Sequence, residues 1–266
     1  MDNISIADLN ILLIEPSDTQ RKIITSLLIK ENVGEIDSVS SLSEAKTVMK
    51  THGADLVVSA MYFADGTALE LLKEIKDNPE TASTPFMLVS SENRMAKLEE
   101  YKQAGVAALL PKPFEPLHLR RALSASVDLI NSDELDLELF DIHEVRVLLV
   151  DDSRLARNHI RRVLEGMGLK KIKEAENGAE ALTYLKDQPF DLVVTDYNMP
   201  EMDGRELSEY IRFGPETAHI PIIMVTSEAQ DSAHMSNIQQ TGVNALCDKP
   251  FEASEVRKML AALLSE

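Results

Sequence analysis

The chain has 266 residues and carries 45 acidic residues against 27 Lys and Arg, which gives a formal net charge of −18. This length suits one to two domains of about 100–200 residues each. The basic residues are too sparse for a surface that binds nucleic acid, and those within Arg154–Arg162 lie at the spacing of a solvated helix face. The apolar runs are strand-sized and no basic segment precedes one at the N-terminus, so we expect neither a membrane span nor a secretory signal. Cys247 is the single cysteine, which excludes an internal disulfide and favours a reducing, cytoplasmic location.

An internal repeat indicates the domain organisation. The segment "NILLIEPSDTQRKIITSLL" (Asn10–Leu28) matches "RVLLVDDSRLARNHIRRVL" (Arg146–Leu164) at an offset of 136 residues. At the same offset "DLVVSAMYF" matches "DLVVTDYNMP" and "TPFMLVSSE" matches "IPIIMVTSE", while "LLPKPF" matches "LCDKPF" at an offset of 137. Four ordered matches indicate two copies of one domain, which we place at residues 1–128 and 145–266.

In each copy, short apolar runs alternate with amphipathic stretches of helical length. Runs that are apolar throughout and separated by helices predict a parallel sheet covered on both faces. We therefore expect the α/β class, with each copy a doubly wound, five-stranded parallel sheet that carries its site at the carboxyl ends of the strands. The strands predicted for the second copy are Val147–Val150, Lys171–Glu174, Leu192–Thr195, Ile222–Val225 and Ala245–Cys247.

Residues 129–144 form an acidic connector with six Asp or Glu and no Lys or Arg. Leu135, Leu137 and Leu139 alternate as in a strand, whereas Leu135, Leu139 and Ile142 would share one face of a helix, so the pattern leaves both open. The connector contains no Gly or Pro, which argues against a flexible linker. We favour an acidic amphipathic helix that extends the fifth helix of the first domain.

Five polar residues of the second copy fall where predicted strands end: Asp151, Asp152, Asp196, Thr226 and Lys249. Three converging carboxylates repel one another unless a cation intervenes, and Mg²⁺ suits both carboxylate and phosphate oxygens. With Mg²⁺ and Lys249 the site would be neutral, and an arriving phosphoryl group would meet Asp196 as the natural nucleophile. The "DDS" segment alone is more often a helix N-cap, but the ordered set at one sheet edge outweighs that interpretation.

The segments "VLLVDDS", "DLVVTDYNMPEMDG", "PIIMVTSE" and "KPF" resemble the receiver domain of two-component response regulators over residues 146–264. The resemblance implies Mg²⁺ held by Asp152, Asp196 and the main-chain carbonyl of Asn198, with Asp151 acting mainly through water. It implies phosphorylation of Asp196 by a sensor histidine kinase, a histidine phosphotransfer protein or a small phosphodonor. Asn198 and Glu228 match positions that influence the lifetime of the phosphoryl group. Beyond self-phosphorylation and self-dephosphorylation, no enzyme activity is expected.

The resemblance also gives roles to residues on the opposite side of the site. Thr226 and Lys249 would bind the phosphoryl oxygens, and the Lys249–Pro250 peptide bond would be cis. Family members usually carry Tyr or Phe three residues before this lysine. Leu246 stands there in this sequence, and Leu109 in the first copy, so we expect a smaller output change or one carried by Thr226.

The first copy keeps the pattern of the fold but loses the acidic residues. The residues at the positions of Asp151, Asp152, Asp196, Thr226 and Lys249 are Glu15, Pro16, Ala60, Ser90 and Lys112. One carboxylate is a poor Mg²⁺ site, and no acidic nucleophile is left. We expect Lys112 to pair with Glu15 in place of the metal, and Ser59 to face away from the pocket because side chains alternate along a strand. This copy is interpreted as a degenerate receiver; it could be an evolutionary leftover, but its retained core pattern favours a binding or dimerisation role.

The expected function is a regulator of two-component signalling that acts through protein contacts. Its expected partners are the phosphodonor protein, a downstream protein target and a second copy of the chain, with no nucleic acid and no membrane. A phosphate sink or shuttle is one alternative, and the receiver part of a longer protein with an output domain such as a diguanylate cyclase is another. A metal-dependent phosphohydrolase is disfavoured because Asn198, not Asp, follows Asp196 by two residues. The last predicted helix reaches the end of the sequence, so no third domain is expected within it.

Overall fold

The computed structural model describes residues 4–131, 134–135, 141–227 and 242–264, which divide between two compact units, Met1–Ser132 and Asp133–Glu266. The elements of the first unit are β1 (Asn10–Ile14), α1 (Asp18–Lys30), β2 (Glu35–Val39), α2 (Leu42–Thr51), β3 (Leu56–Ser59), β4 (Tyr62–Phe63), β5 (Gly66–Thr67), α3 (Ala68–Asp77), β6 (Phe86–Ser90), α4 (Met95–Gln103), β7 (Ala108–Pro111) and α5 (Pro116–Ile130). Those described in the second unit are β8 (Arg146–Val150), α6 (Arg154–Gly166), β9 (Lys171–Ala175), α7 (Gly178–Asp187), β10 (Leu192–Asp196), α8 (Gly204–Phe213), β11 (Ile222–Thr226), β12 (Ala245–Asp248) and α9 (Ala253–Leu264). Among the helices of these ranges, none is long and apolar enough to cross a membrane.

Each unit contains one five-stranded, fully parallel sheet. The strand order is β2-β1-β3-β6-β7 in the first unit and β9-β8-β10-β11-β12 in the second. In both sheets the order reverses beside the first strand, and α/β sheets place their binding crevice at such a switch point. The doubly wound α/β fold predicted from the sequence is confirmed for both units.

The five strands predicted for the second copy agree with the observed strands to within one residue at each end. The apolar runs located them because the central strands of a parallel sheet are covered on both faces. β10 and β11 are buried along their whole length, whereas β9, at the edge of the sheet, alternates between exposed and half-buried residues up to Ala175.

Helices cover both faces of the sheets. In the first unit Ile11 and Leu13 belong to a core cluster with buried residues of α1 and α5. In the second unit Leu148 and Val150 belong to a cluster with buried residues of α7 and α8. Ile11 corresponds to Val147 at the offset of 136 residues, so the two clusters lie on opposite faces of equivalent sheets.

In the residues of the connector that the structure describes, residues 131, 134, 135 and 141 are not helical, so these parts do not belong to one continuous helix. α5 ends at Ile130, and the side chain of Asn131 then exchanges two hydrogen bonds with the backbone near the N-terminus. Leu135 is not helical, because it is buried in the second unit and its amide donates to the Met167 carbonyl at 2.9 Å. The connector is otherwise only partly described, and its boundaries at 129–144 stay a prediction.

Candidate functional site

Four polar residues of the second unit lie at the carboxyl edge of its sheet, as the sequence predicts. Asp196 is the last residue of β10 and Thr226 the last residue of β11. Asp151 directly follows β8, and Lys249 directly follows β12. All four are buried, with Asp196 only 2% exposed. Because their strands are consecutive in the sheet, residues that are far apart in the sequence share one crevice.

Lys249 joins two of these carboxylates. Its Nζ lies 3.1 Å from Asp151 Oδ2 and 3.0 Å from Asp196 Oδ2. The other Asp151 oxygen accepts a hydrogen bond from the Ser153 amide at 2.8 Å, and the other Asp196 oxygen accepts one from the Tyr197 amide at 2.9 Å. The ammonium group and two backbone amides therefore orient both carboxylates.

The electrostatics of the site are dominated by burial. Burial raises the pKa of Asp196 to about 7, while Lys249 acts to lower it and Asp151 raises it further. Burial also raises the pKa of Asp151, which shares the same ammonium group. Burial lowers the pKa of Lys249, but the two carboxylates together hold it above its usual value. The two buried carboxylates, Asp151 and Asp196, thus share the single Lys249 ammonium group, and the site has excess negative charge when both are ionised.

Three carboxylates lie close enough together to hold one metal ion. Asp151, Asp152 and Asp196 each place an oxygen within 4.8 Å of the others, and Asp152 is the exposed member. Asp196 Oδ2 is buried and accepts no hydrogen bond from the part of the chain that the structure describes, although Lys249 lies beside it as an ion-pair partner. A cluster that sets three carboxylates, one of them solvent-exposed, against one ammonium group fits a hard cation such as Mg²⁺.

The other predicted residues lie around this cluster. Asn198 is exposed in the loop between β10 and α8, and the Lys249–Pro250 peptide bond is cis, as the resemblance implies. Leu246 is half-buried on β12, at the position where an aromatic residue is usual. Glu228 lies outside the described residues, so its role stays a prediction.

Two residues that support the site were missed by the sequence patterns. Arg157 was assigned to a solvated helix face, which is wrong: it is buried, and its Nη1 donates to the Asp151 carbonyl at 2.6 Å. Gly204 begins α8, and a Cβ at this position would lie 2.1 Å from the Asp196 carbonyl oxygen. The "DG" after the third strand could have signalled close backbone approach. An Arg on an amphipathic helix gives no such signal, because its charged head is expected to stay in water.

The equivalent edge of the first sheet holds an internal ion pair. Lys112 Nζ lies 2.8 Å from Glu15 Oε2, and the lysine side chain is 22% exposed while the glutamate is buried. The other Glu15 oxygen accepts from the Ser17 amide at 3.0 Å, which repeats the contact between Asp151 and Ser153. The predicted pairing of Lys112 with Glu15 is confirmed.

A pocket of about 290 Å³ lies beside this ion pair, and Ala60 lines it at the position of Asp196. Met61 is buried there, and its sulfur accepts a hydrogen bond from the Ser90 hydroxyl at 3.4 Å. The Ser90 hydroxyl in turn accepts from the Glu92 amide at 3.0 Å. The Ser90 hydroxyl therefore already donates one hydrogen bond and accepts another within the first unit.

Ser59 is not among the residues that line this pocket. It is buried, and its hydroxyl donates to the Ala60 carbonyl at 2.8 Å, as Thr195 does to the Asp196 carbonyl at 3.0 Å. The loop that follows also differs between the units, because β4 and β5 of the first unit form a short antiparallel hairpin. The orientation predicted for Ser59 agrees with these contacts.

The fold and these crevices define a class of protein with two flavodoxin-like domains, of which the second carries an acidic, lysine-containing site at its strand ends. The family described as response regulator receiver domain matches residues 11–124 and 147–261. The chain belongs to this family through both of its units, as a response regulator of two-component signalling with tandem receiver domains.

Two chemotaxis proteins are among the similar sequences. Chemotaxis protein CheY-3 of Vibrio cholerae is 38% identical over 116 residues, which cover 44% of this chain and 88% of that protein. Chemotaxis protein CheY of Pseudomonas aeruginosa is 35% identical over 116 residues, which cover 44% of this chain and 93% of that protein. Among solved structures, the signal receiver domain of a signal transduction histidine kinase from Syntrophus aciditrophicus is 29% identical, with a TM-score of 0.43, over 46% of this chain and 90% of that one. Each of the two chemotaxis proteins therefore matches one domain's length of this chain.

Proposed function

We propose that this response regulator is controlled by phosphorylation of Asp196. The observation that supports this most directly is the ion pair between the buried Asp196 carboxylate and Lys249, in a cluster that also holds Asp151 and Asp152. A sensor histidine kinase, a histidine phosphotransfer protein or a small phosphodonor would supply the phosphoryl group. Both reaction and signalling would take place in the cytoplasm.

In the proposed transfer, an Asp196 oxygen attacks the phosphorus of the donor. The new P–O bond forms as the bond from phosphorus to the donor's leaving atom breaks; a histidine nitrogen then takes up a proton from solvent, whereas acetate released from acetyl phosphate leaves as the anion. Lys249 already stands 3.0 Å from the attacking carboxylate, so its ammonium needs little reorganisation to follow the charge onto a phosphoryl oxygen. Thr226 ends the neighbouring strand and would donate its hydroxyl to a second phosphoryl oxygen.

Bound Mg²⁺ would neutralise negative charge on the carboxylates and on the incoming phosphoryl oxygens. Asp152, Asp196 and the main-chain carbonyl of Asn198 would hold the ion, with Asp151 acting through water. Asp152 is exposed and can offer its carboxylate to the ion directly, whereas Asp151 is fully buried.

We further propose that the first unit is a receiver that cannot be phosphorylated and that serves as a binding or dimerisation module. Ala60 offers no nucleophile, and Lys112 is engaged by Glu15. The unit nevertheless keeps its complete parallel sheet and apolar core, which a surface for a protein partner requires. A downstream target protein or a second copy of the chain would bind to it.

The test is to incubate the full chain with acetyl phosphate and Mg²⁺ and to measure intact mass. Wild type should gain one phosphoryl group, Asp196→Ala none, and the matched control Ser59→Ala as much as wild type. An unlabelled wild type, or a labelled Asp196→Ala variant, refutes the assignment of Asp196. Light scattering on the same samples then separates functions, because labelling without any change in self-association or partner binding favours a phosphate sink.

A further inference from the structure

We propose that Arg157 is a positioning residue that sets the geometry of Asp151 and Asp152 for the cation, through their main chain. This inference rests on the proposed metal site. The guanidinium group is buried, and its Nη1 donates to the Asp151 carbonyl at 2.6 Å and to the Asp152 carbonyl at 3.4 Å. Because these carbonyls belong to the two acidic residues themselves, holding them determines where both carboxylate side chains begin.

The guanidinium is held on its other side by two glutamates, which we call the acidic anchor. Arg157 Nε lies 3.2 Å from Glu174 Oε2, and Nη2 lies 3.0 Å from Glu176 Oε1. Glu174 belongs to β9 and is itself held by Arg161 Nε at 2.5 Å. A planar guanidinium donates in fixed directions. Its contacts with Glu174 of β9 and with Glu176, just after that strand, therefore limit how it can turn relative to the two carbonyls. Through Arg157, the main chain of Asp151 and Asp152 is thereby linked to β9.

The first unit shows which of these contacts the fold alone provides. Arg21 occupies the equivalent position, and its Nη1 donates to the Glu15 carbonyl at 2.6 Å, as Arg157 does to Asp151. Its Nη2 bonds to Asp18 of the same helix. The single carbonyl contact therefore accompanies the fold with or without a metal site.

The acidic anchor, in contrast, occurs only in the unit with the acidic cluster. Glu174 stands opposite Leu149 in the β8–β9 register, and Ser38 stands opposite Leu13 at the same point of the first sheet. At the offset of 136 residues, Ser40 of the first unit stands at the position of Glu176. The parts of the network that are specific to the second unit are thus the anchor and the second carbonyl contact.

The acidic anchor also offsets the positive charge of Arg157. A bare guanidinium close to a cation site would repel the cation, but the two glutamates offset the charge of Arg157. We therefore assign the effect of Arg157 to geometry, and a lysine at this position should not replace it. A lysine keeps the charge but cannot reach two carbonyls and two carboxylates at once.

The experiment titrates the full chain with Mg²⁺ by isothermal calorimetry at pH 7.5, with circular dichroism to show that each variant is folded. Arg157→Lys and Arg157→Met should raise the Kd for Mg²⁺ at least ~10-fold, the range found when groups that orient metal ligands are removed. Arg21→Lys is the matched control and should leave the Kd unchanged. In the phosphodonor assay, the Arg157 variants should need more Mg²⁺ for half-maximal labelling but reach the wild-type level at saturating Mg²⁺.

Folded Arg157 variants with a wild-type Kd overturn the inference, and so does an equal rise in Arg21→Lys. If the Arg157 variants do not fold, the double variant Glu174→Gln, Glu176→Gln provides the test, because it keeps the arginine and loosens its hold. A Kd raised ~3-fold or more supports the inference and an unchanged Kd overturns it. Failure of the proposed function looks different, since wild type itself would then bind no Mg²⁺ or accept no phosphoryl group.

Discussion

Replacing Asp196 by Asn should stabilise the second unit in metal-free buffer at pH 8. Asp196 is 2% exposed, and it shares one ammonium group, that of Lys249, with the equally buried Asp151. Burial raises the pKa of Asp196 from its usual 3.8 to about 7. An acid with a raised pKa destabilises the fold when it ionises, because the unfolded chain accommodates the charge in water.

The sign and size of the effect follow from this pKa. Between pH 3.8 and about pH 7 the folded state keeps a proton that the unfolded state has released, so stability falls as the pH rises through this window. A pKa raised from 3.8 to about 7 corresponds to a ceiling of ~4 kcal/mol on the free energy that ionisation of Asp196 costs the folded state. Asn leaves Lys249 with one carboxylate partner and removes an ion pair, so we expect a net gain of about 1–3 kcal/mol at pH 8.

The assay is urea unfolding in EDTA at pH 5 and pH 8, followed by far-ultraviolet circular dichroism. Asp187→Asn, which removes an exposed carboxylate of the same unit, is the control and should change the unfolding free energy by less than ~0.5 kcal/mol. The gain of Asp196→Asn should shrink from pH 8 to pH 5. A variant that is no more stable than wild type at pH 8, or a gain of the same size at both pH values, would refute the reasoning. Added Mg²⁺ should stabilise wild type more than Asp196→Asn, because only wild type presents the full set of ligands.

Three further changes test other parts of the structure. Glu15→Gln leaves the Lys112 ammonium without its counter-charge and should cost the first unit about 1–3 kcal/mol in urea unfolding, while Glu100→Gln, in an exposed pair with Lys97, should cost less than ~0.5 kcal/mol; equal costs would contradict the role of the buried pair. Gly204→Ala would place its Cβ 2.1 Å from a backbone oxygen of the proposed phosphoacceptor, so we expect the unfolding free energy to fall by about 1–3 kcal/mol, and a variant with a wild-type melting curve would disprove that close approach. The pKa of Cys247 is raised by burial to about 12, so a thiol reagent should label the native chain at least ~100-fold more slowly than the urea-unfolded chain, and comparable rates would show that this strand opens readily.

The fold was predictable because both the repeat and the apolar runs can be recognised in the sequence without knowing which residues are in contact. Asp196 and Lys249 could be placed at one edge because parallel strands carry their carboxyl ends on the same side. Arg157 could not be placed, since its contacts depend on the register of β8 against β9 and on how deeply a long side chain is buried. The contact between Ser90 and Met61 was equally inaccessible, because nothing in the sequence marks a methionine sulfur as a hydrogen-bond acceptor.

The connector shows a different limit. Its leucines fit a helix and a strand, and the Leu135 amide donates to the Met167 carbonyl, 32 residues further along the chain. Amphipathic periodicity describes which side chains can share a face, but it contains no information about partners for the backbone.

Charge balance explains why the first unit keeps Lys112 although Ala60 has replaced the acid. A buried Glu15 without a cation would be an unpaired charge in a low-dielectric pocket, which costs more than the pair is worth to the fold. A change of Lys112 would thus require a change of Glu15 as well. Pro16 and Ala60, which stand at the positions of Asp152 and Asp196, are not part of this pair, so those two positions could lose their acids without disturbing it. The second unit has the opposite balance, with three clustered carboxylates against one lysine, and it gains from any dication that joins them. The Glu15–Lys112 pair is neutral by itself, whereas the cluster of the second unit carries excess negative charge when its carboxylates are ionised. The Mg²⁺ binding that we propose for the second unit follows from this difference in charge as well as from the presence of Asp196.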